Sequence, residues 1–356
     1  MNNLHFIHEG LYESKFISFI NNNKLNETNK FLVFETKNSL ANMEKFTNVI
    51  MENINFKKEY FTIKKICKNA DKIYLHGLFS KKWVLFFYLN PHLLKKTNWV
   101  IWGGDLYYYK YAINSMKSKI YEFIRKKVIK NLSEITAFIK GDYEIAQKIY
   151  NTKAKYNYAF YPNPIDFDSL DKVLASIDKE KYTTTIQIGN SADPTNEHIE
   201  ILNILSVHKN KNIKIICPLS YGNKEHANRV IQYGNKIFGD KFQPLTEYMP
   251  PEEYSKILAN IDIAIFNHQR QQALGNIIGL LYLGKKVYIR SDITPWEYFD
   301  NFGVKLYDTK NIKNNKFEGL ISFDDSVGQA NKKIVAKEFS EEHCVQLWRK
   351  VLYEGE

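Results

Sequence analysis

Short apolar runs alternate with segments of helical spacing along the chain, and this alternation limits the possible folds more than any other feature. Short apolar runs bounded by turn residues are typical of buried strands, and strands separated by helices are typical of mostly parallel α/β sheets. We predict helices over residues 16–21, 83–89, 114–130 and 341–352. The predicted strands are residues 4–8, 30–34, 72–77, 99–102, 135–139, 183–189, 213–219, 261–266 and 286–289.

The length indicates two domains. At roughly 150 residues per domain, a chain of 356 residues has room for two cores. Pro162, Pro164 and the acidic stretch that follows them mark a junction within residues 160–182. We therefore predict an N-terminal domain over residues 1–165 and a C-terminal domain over residues 166–335. A last helix over 336–356 is amphipathic and could return to the first domain.

Charge and cysteine usage restrict the partners and the compartment. The net charge of +11 and the pI of about 9.1 favour anionic partners such as nucleic acid, acidic lipids or phosphorylated ligands. Cys67, Cys217 and Cys344 lie far apart without metal-ligand spacing, which is typical of a reducing compartment. The N-terminus does not resemble a secretory signal, and no apolar run is long enough for a bilayer. We expect a cytoplasmic protein.

Residues 114–130 form a basic segment with apolar residues at helical spacing. A basic amphipathic helix can lie on an anionic membrane surface. The alternative is a helix that packs on the sheet and turns its basic face to water, and the sequence alone does not choose between these. The candidate membrane contacts are Lys117, Arg125, Lys126, Lys127 and Lys130.

The strongest candidate ligand site follows the predicted strand that ends at Phe266. A polar loop separates this strand from an apolar helix, and in open α/β sheets ligands bind at the carboxyl ends of strands. The helix start would present backbone N–H groups to an anion, and an arginine suits phosphate oxygens. The residues predicted to bind a donor diphosphate here are His268, Arg270, Gln271, Gln272, Gly275 and Asn276.

A second candidate loop follows the first predicted strand of the second domain. Gly189 allows a ligand to approach the backbone closely, and Asn190 and Ser191 can donate hydrogen bonds to a diphosphate. Asp193 or Thr195 can also cap the next helix. Further along the chain, we predict that Glu247 and Tyr248 hold a ribose or a base, and the alternative is a helix start initiated by proline.

The first domain carries candidates for acceptor chemistry. Gly103 and Gly104 form a tight turn that would present Asp105, and a carboxylate there could take a proton from an acceptor hydroxyl. The alternative is a turn aspartate that faces solvent. His76 and His8 also end predicted strands. We predict Asp105, or failing it His76, as the catalytic base, and His8, Gly103 and Gly104 as acceptor contacts.

Several familiar motifs are missing from the sequence. It contains neither the phosphate loop of P-loop proteins nor the Gly-x-Gly-x-x-Gly fingerprint nor His-Glu-x-x-His. One Asp-x-Asp occurs, from Asp166 to Asp168, but it falls in the predicted junction and suits a helix cap. We therefore expect no metal ion and no cofactor.

Four stretches together resemble a known family: Trp102 to Tyr107, Ile188 to Asn196, Pro218 to Gly222, and Arg270 to Gly275. The chain is similar to the bacterial TDP-N-acetylfucosamine:lipid II N-acetylfucosaminyltransferases, the 4-alpha-L-fucosyltransferase-like family 56 of glycosyltransferases. The resemblance implies the α/β GT-B architecture, in which two Rossmann-like domains with mostly parallel sheets face a central cleft. It also implies a dTDP-sugar held mainly by the second domain, with Tyr221 among its contacts.

The same resemblance implies a polyprenyl-diphosphate-linked saccharide as acceptor, and peripheral attachment to the inner face of the bacterial cytoplasmic membrane. We therefore predict a glycosyltransferase of bacterial surface polysaccharide synthesis that moves a deoxy-amino sugar such as N-acetylfucosamine. The alternatives are a nucleotide-sugar epimerase of similar fold and a non-catalytic protein that binds membranes or polyanions. Nucleic acid is not expected as a partner, because the basic residues concentrate on one helix without a recognition motif.

Overall fold

The computed structural model describes residues 1–8, 10–34, 46–52, 54–111, 115–162, 167–176 and 183–353. The chain forms two compact units. The first consists of Met1–Pro164 together with Glu341–Glu356, and the second consists of Ile165–Ser340. Within the described ranges, no helix is both long enough and apolar enough to cross a membrane.

The first unit is built on a seven-stranded parallel sheet with the order β3-β2-β1-β4-β5-β6-β7. The strands are β1 Asn3–His8, β2 Asn29–Phe34, β3 Val49–Met51, β4 Lys72–His76, β5 Thr97–Val100, β6 Glu134–Ala137 and β7 Lys155–Tyr158. The helices that connect them are α1 Leu11–Asn22, α2 Tyr60–Asn69, α3 Lys81–Leu89, α4 Tyr108–Tyr111, α5 Met116–Lys130 and α6 Lys140–Tyr150.

The second unit repeats this design with a six-stranded parallel sheet of order β10-β9-β8-β11-β12-β13. Its strands are β8 Thr184–Ile188, β9 Ile213–Pro218, β10 Phe242–Leu245, β11 Ile263–Phe266, β12 Lys286–Ile289 and β13 Tyr307–Asp308. Its helices are α7 Phe167–Ser176, α8 His198–Leu205, α9 Lys224–Phe238, α10 Pro251–Asn260, α11 Leu274–Tyr282, α12 Thr294–Asn301, α13 Phe317–Ile321 and α14 Asp325–Glu338.

Both sheets reverse their strand order at the first strand of the unit. The chain runs outward from β1 through β2 and β3, then returns to add β4 on the other side, and β8 is flanked by β9 and β11 in the same way. The loops that leave the two strands at such a switch point run to opposite faces, and the crevice between them is where open α/β sheets bind ligands. The prediction of a two-domain α/β fold with mostly parallel sheets is confirmed.

The last helix, α15 Glu341–Tyr353, belongs to the first unit. Trp348 is completely buried there and its Nε1–H donates to the carbonyl of Phe160 at 2.8 Å. The hydroxyl of Tyr74, on β4, donates to the carbonyl of Val351 at 3.0 Å. These contacts attach the C-terminal helix α15 to the first unit, which also contains the N-terminus.

Candidate functional site

The switch point of the second unit brings two of the predicted loops together. Strands β8 and β11 pair directly, and the N–H of Gly189 donates to the carbonyl of Ile265 at 3.0 Å. Gly189 has a φ of +67°, and a Cβ at this position would lie 2.6 Å from Nε2 of His198 and 2.9 Å from Oδ1 of Asn196. Only glycine therefore fits the turn that follows β8.

Hydrogen bonds join three of the predicted segments across this switch point. The side-chain amide of Asn190 donates to the hydroxyl of Tyr221 at 2.8 Å. The amide of Gln272, from the loop after β11, donates to Oδ1 of Asn190 at 3.1 Å and lies 3.3 Å from Oγ of Ser191. The structure therefore places Asn190, Ser191, Tyr221 and Gln272 in one polar network.

Arg270 is tied to this network by Asp193, a residue that the sequence suggested only as a helix cap. Its Nη2 lies 2.9 Å from Oδ2 of Asp193, and its Nη1 donates to the carbonyl of Gln271 at 3.1 Å. Burial raises the pKa of Asp193, but hydrogen bonds from Thr195 and the charge of Arg270 outweigh it and leave that pKa below its usual value. These bonds use two of the five guanidinium donors, so the described contacts leave others for an anion.

Helix α11 begins beside Arg270 without a side-chain cap. The residue before the helix, Ala273, has a left-handed backbone with a φ of 59°. The first N–H groups of a helix, here those of Leu274, Gly275 and Asn276, have no partner within the helix and carry its positive dipole end. The side chain of Asn276 is directed elsewhere, because its Oδ1 accepts a hydrogen bond from Tyr254 at 2.6 Å. The helix start therefore offers backbone groups for an anion.

His268 differs from our prediction that it reaches a ligand's phosphate oxygens. It is completely buried, and neither ring nitrogen has a hydrogen-bond partner within the described chain. Burial lowers its pKa to about 3, and nearby Arg270 and His198 lower it too, so the ring is neutral at physiological pH. His268 thus lies beneath the polar loop and supplies no positive charge.

The remaining predicted donor contacts stand apart from the network. Glu247 and Tyr248 lie in the segment between β10 and α10, and both are exposed. No hydrogen bond or ion pair of the described residues connects either of them to Arg270 or Gln272. Gln271 lies in the loop between β11 and α11, and its Oε1 is buried without a hydrogen-bond partner among the described residues.

The structure places Asp105, our predicted base, in the interior of the first unit. The carboxylate is 2% exposed and accepts four hydrogen bonds. The donors are the N–H of Leu78 at 2.8 Å, Nε1–H of Trp99 at 2.7 Å, and the N–H groups of Trp102 and Leu106, both at 3.0 Å. A carboxylate with every oxygen engaged by N–H groups holds the Gly103–Gly104 turn together and is not placed to accept a proton from a substrate.

His76 is also not placed as a base. It is 2% exposed and lies between Nδ1 of His5, at 2.9 Å from its Nε2, and the hydroxyl of Tyr161, which contacts its Nδ1. Its ring lies against Trp348 and Phe16. Burial, with His5 beside it, holds the pKa of His76 well below the usual value. Both ring nitrogens are therefore occupied inside an aromatic cluster.

The predicted acceptor contacts have mixed surroundings. His8, at the end of β1, is partly exposed and stacks on Trp83 with ring centroids 4.3 Å apart. Burial lowers its pKa, although a backbone hydrogen bond at Phe34 acts in the opposite direction. Gly103 is buried and Gly104 is partly exposed in the turn that Asp105 holds. Of these residues, His8 is the side chain that remains open at a strand end.

Helix α5 shows both the predicted basic face and an exposed apolar face. Lys117, Lys126, Lys127 and Lys130 are exposed. Arg125 is not: it is completely buried, and its Nη2 donates to the carbonyl of Asp105 at 2.7 Å, which removes it from the candidate membrane contacts. Three apolar side chains on the first turns of the helix are left outside the core: Met116, Ile120 and Phe123, which are 72%, 55% and 57% exposed.

Across the described residues, no group of three or more histidine, cysteine, aspartate or glutamate side chains could hold a metal ion. Of the Asp-x-Asp sequence, Asp166 lies outside the described residues, and Asp168 lies in the first turn of α7. Of the predicted junction over residues 160–182, the segments 163–166 and 177–182 lie outside the described residues.

Comparison with known proteins adds a family and a fold. A family model described as 4-alpha-L-fucosyltransferase, glycosyl transferase group 56, matches residues 11–354. A glycosyltransferase from Rickettsia africae is similar in structure, with a TM-score of 0.65 and 12% identity over 99% of both chains. HepE of Anabaena, solved with UDP and glucose, has a TM-score of 0.70 and 10% identity over 99% of this chain and 100% of its own. WaaG, a glycosyltransferase involved in lipopolysaccharide biosynthesis, has a TM-score of 0.63 and 10% identity over the same shares. At these identities the three structures show the GT-B fold alone.

Proposed function

The chain belongs to the 4-alpha-L-fucosyltransferases of glycosyl transferase group 56, and we propose that it moves a deoxy-amino sugar such as N-acetylfucosamine from dTDP to a polyprenyl-diphosphate-linked saccharide. Family membership makes the protein a glycosyltransferase that uses a nucleotide-sugar donor and an acceptor. We further propose that the nucleotide is dTDP, that the acceptor is lipid-linked, and that the reaction belongs to bacterial surface polysaccharide synthesis.

The observation that carries the donor part of the proposal is the convergence of Arg270 and the start of α11 on one polar network. Breaking the bond between the anomeric carbon and the diphosphate oxygen leaves negative charge on the departing nucleotide. A fixed guanidinium and the positive end of a helix dipole stabilise such charge where it develops. We propose that these groups do so without a metal ion, with the diphosphate lying against Gly275 and Arg270. Activity that persists in EDTA would support this.

Supporting groups place the arginine. The 2.9 Å ion pair with Asp193 orients the guanidinium. The hydroxyl of Thr195 lies 2.7 Å from Oδ1 of Asp193 and 3.0 Å from Oε1 of Gln272, and can donate to either. Contacts within the protein therefore hold the loops after β8 and β11 together. Such prior organisation reduces the ordering cost of binding a flexible diphosphate.

The exposed face of α5 supports the membrane part of the proposal. Lysines attract anionic headgroups, at about 1 kcal/mol each near a surface, and the neighbouring apolar side chains can enter the interface. A face that offers exposed Ile120 and Phe123 beside Lys126 and Lys127 has both features. We propose that it holds the protein on the inner face of the cytoplasmic membrane, where a polyprenyl-linked acceptor resides.

Calorimetric titration of the full chain with dTDP and with UDP tests the donor site. We expect dTDP to bind and Arg270→Ala to weaken it about 10- to 150-fold, because a hydrogen bond to a charged group contributes about 1.5–3 kcal/mol. Arg349→Ala is the matched control: Arg349 is exposed on α15 of the first unit, and its loss should leave binding unchanged. Failure of both nucleotides to bind, or equal effects of the two variants, would contradict the donor site.

Flotation with liposomes tests the membrane face. The protein should bind vesicles that contain phosphatidylserine more strongly than neutral vesicles, and salt should weaken this binding. Phe123→Ser should weaken it about tenfold or more, because burying a phenylalanine contributes about 1.5–3 kcal/mol. Val207→Ser is the control, since Val207 is 77% exposed in the second unit. Equal binding to neutral vesicles, or stronger binding to duplex DNA, would contradict the proposal.

A further inference from the structure

Asp105 and His76 are engaged in the interior, so neither predicted base of the first unit is free to take an acceptor proton. Helix α1 follows the carboxyl end of β1, at the switch point of this sheet, and Glu13 lies in its first turn. The Glu13 carboxyl group occupies the space beside Gly10: a Cβ on Gly10 would lie 2.3 Å from Oε2 of Glu13. The glycine therefore gives this carboxylate its position at the ligand-binding edge of the sheet.

Glu13 is partly buried, and within the ranges that the structure describes it forms no ion pair. Burial raises its pKa to about 7, and the hydrogen bond from its own backbone N–H lowers it by a smaller amount. A carboxyl group with a pKa near the working pH is suited to accept and release a proton.

Among the described residues, the titratable groups that face α1 from other elements are two histidines, a tyrosine and a glutamate, and none of them is positively charged at physiological pH. His5 on β1 and His76 at the end of β4 both lie against Phe16 of α1, and burial keeps both neutral at physiological pH. Tyr161 follows β7, and burial raises its pKa, as does the negative charge of Glu13. From the last helix, Glu341 accepts a hydrogen bond from the side-chain amide of Asn23, directly after the end of α1, at 3.4 Å.

A group of aromatic rings lies near Glu13: Tyr12 precedes it in the chain, and the charge of Glu13 acts on the Tyr161 hydroxyl. The rings of Trp102 and Tyr161 lie 4.7 Å apart, and Tyr12 packs edge-on against Trp102 at 5.8 Å. Trp102 and Tyr161 are partly exposed, and Tyr12 is 38% exposed. Partly exposed aromatic rings at the end of a strand suit the C–H face of a sugar ring, because they remove apolar surface from water while leaving the hydroxyl groups free to react.

We propose that Glu13 is the general base of the transfer and that Tyr12, Trp102 and Tyr161 line the surface on which the acceptor sugar lies. In this step the acceptor hydroxyl oxygen bonds to the anomeric carbon while the bond from that carbon to the diphosphate oxygen breaks. The nucleotide diphosphate leaves with the electron pair. The hydroxyl proton passes to the Glu13 carboxylate, which later releases it to water. The inference rests on the proposed glycosyl transfer.

The first experiment is kinetic and uses the full chain with dTDP-N-acetylfucosamine and a synthetic polyprenyl-diphosphate disaccharide. Glu13→Gln should lower kcat about 100- to 10,000-fold, the contribution of a general base, and leave dTDP binding unchanged. The wild-type kcat/KM should rise with pH through about 7, because the base works deprotonated. Glu13→Asp should recover part of the rate. Glu27→Gln, an exposed glutamate of the same unit, should behave as wild type.

A Glu13→Gln rate within threefold of wild type would overturn the inference. The second experiment does not need turnover. The infrared difference between wild type and Glu13→Gln across a pH titration should show one carboxyl group that protonates near pH 7. A carboxyl group that protonates at the usual value for glutamate, about 4.3, would overturn the inference too. A wild type that binds dTDP but transfers no sugar would instead refute the proposed substrates. The infrared titration would still test whether the Glu13 carboxyl group protonates near pH 7.

Discussion

Replacing Asp105 with asparagine separates a structural carboxylate from a catalytic one. In the folded protein its two oxygens accept hydrogen bonds from four N–H groups, with donor–acceptor distances of 2.7–3.0 Å. Asparagine has nearly the same shape, but one of its oxygens becomes an NH₂ group. Two of the four N–H donors would then face another donor in a site that is 2% exposed.

The expected cost follows from those two lost acceptors. A buried donor left without a partner costs about 1–3 kcal/mol, so Asp105→Asn should reduce the free energy of unfolding of the first unit by about 2–6 kcal/mol. That is a large share of a typical stability of about 5–15 kcal/mol. The bond from Arg125 to the main-chain carbonyl of residue 105 does not depend on the side chain and is expected to persist.

Tryptophan fluorescence during urea unfolding measures this change, because Trp83, Trp99, Trp102 and Trp348 all belong to the first unit. The control is Glu27→Gln, at an exposed glutamate of the same unit, with an expected change within about 0.5 kcal/mol. Binding of dTDP should be unaffected where the variant is folded, since its proposed site is in the second unit. An Asp105→Asn variant with wild-type stability and a 100-fold slower transfer would refute the structural role and restore Asp105 as a base.

Three further outcomes follow from the structure. Gly189→Ala should destabilise the loop after β8 by about 1–3 kcal/mol and weaken dTDP binding, measured by calorimetry, because a Cβ meets His198 at 2.6 Å; unchanged binding would contradict this. The buried rings of His5, His198 and His268 have pKa values lowered to about 4, 3 and 3. The unfolded chain protonates first, so each histidine should remove about 1.4 kcal/mol of stability per pH unit from pH 6.5 down to its folded pKa, seen as a Tm that falls with acid; a flat Tm would contradict it. Trp348→Ala should cost about 3–5 kcal/mol in urea unfolding of the first unit.

The strands that the sequence predicts are the interior strands of the two sheets. Ile263–Phe266 is apolar at every position because helices cover both faces of a parallel sheet. The four strands that were missed, β3, β7, β10 and β13, all lie at sheet edges. Edge strands need fewer apolar residues and tolerate proline, as Lys155–Tyr158 and Pro244 of Phe242–Leu245 show. Apolar runs therefore identify the interior of a sheet better than its borders.

The polar loops of the second unit were predictable because parallel strands end at the same edge. This rule brought Asn190 and Gln272 together although they are far apart in the sequence. It could not show that His268 turns inward, because a polar side chain beside a strand end can point either way. Nor could it show that Asp193 orients Arg270, since an Asp-Pro sequence also suits a helix cap.

In the first unit, the sequence identified a basic helix but not the direction of each charge. Arg125 precedes the buried Val128 and Ile129 by three and four positions, which places all three on one face. Lys117 has the same spacing to apolar residues and is exposed, so the spacing alone would not have identified Arg125 as buried. Glu13 was missed because a single glutamate near a helix start normally complements the helix dipole, and its raised pKa arises from burial that only the fold shows.

A structure of the protein with dTDP bound tests the central claim most directly. We predict that the diphosphate lies at the switch point of the second sheet, with its oxygens within hydrogen-bond distance of the Arg270 guanidinium and of the first N–H groups of α11. The nucleotide should contact the loop that begins at Gly189. A nucleotide bound at another place, with Arg270 still paired only with Asp193, would contradict the assignment of the donor site.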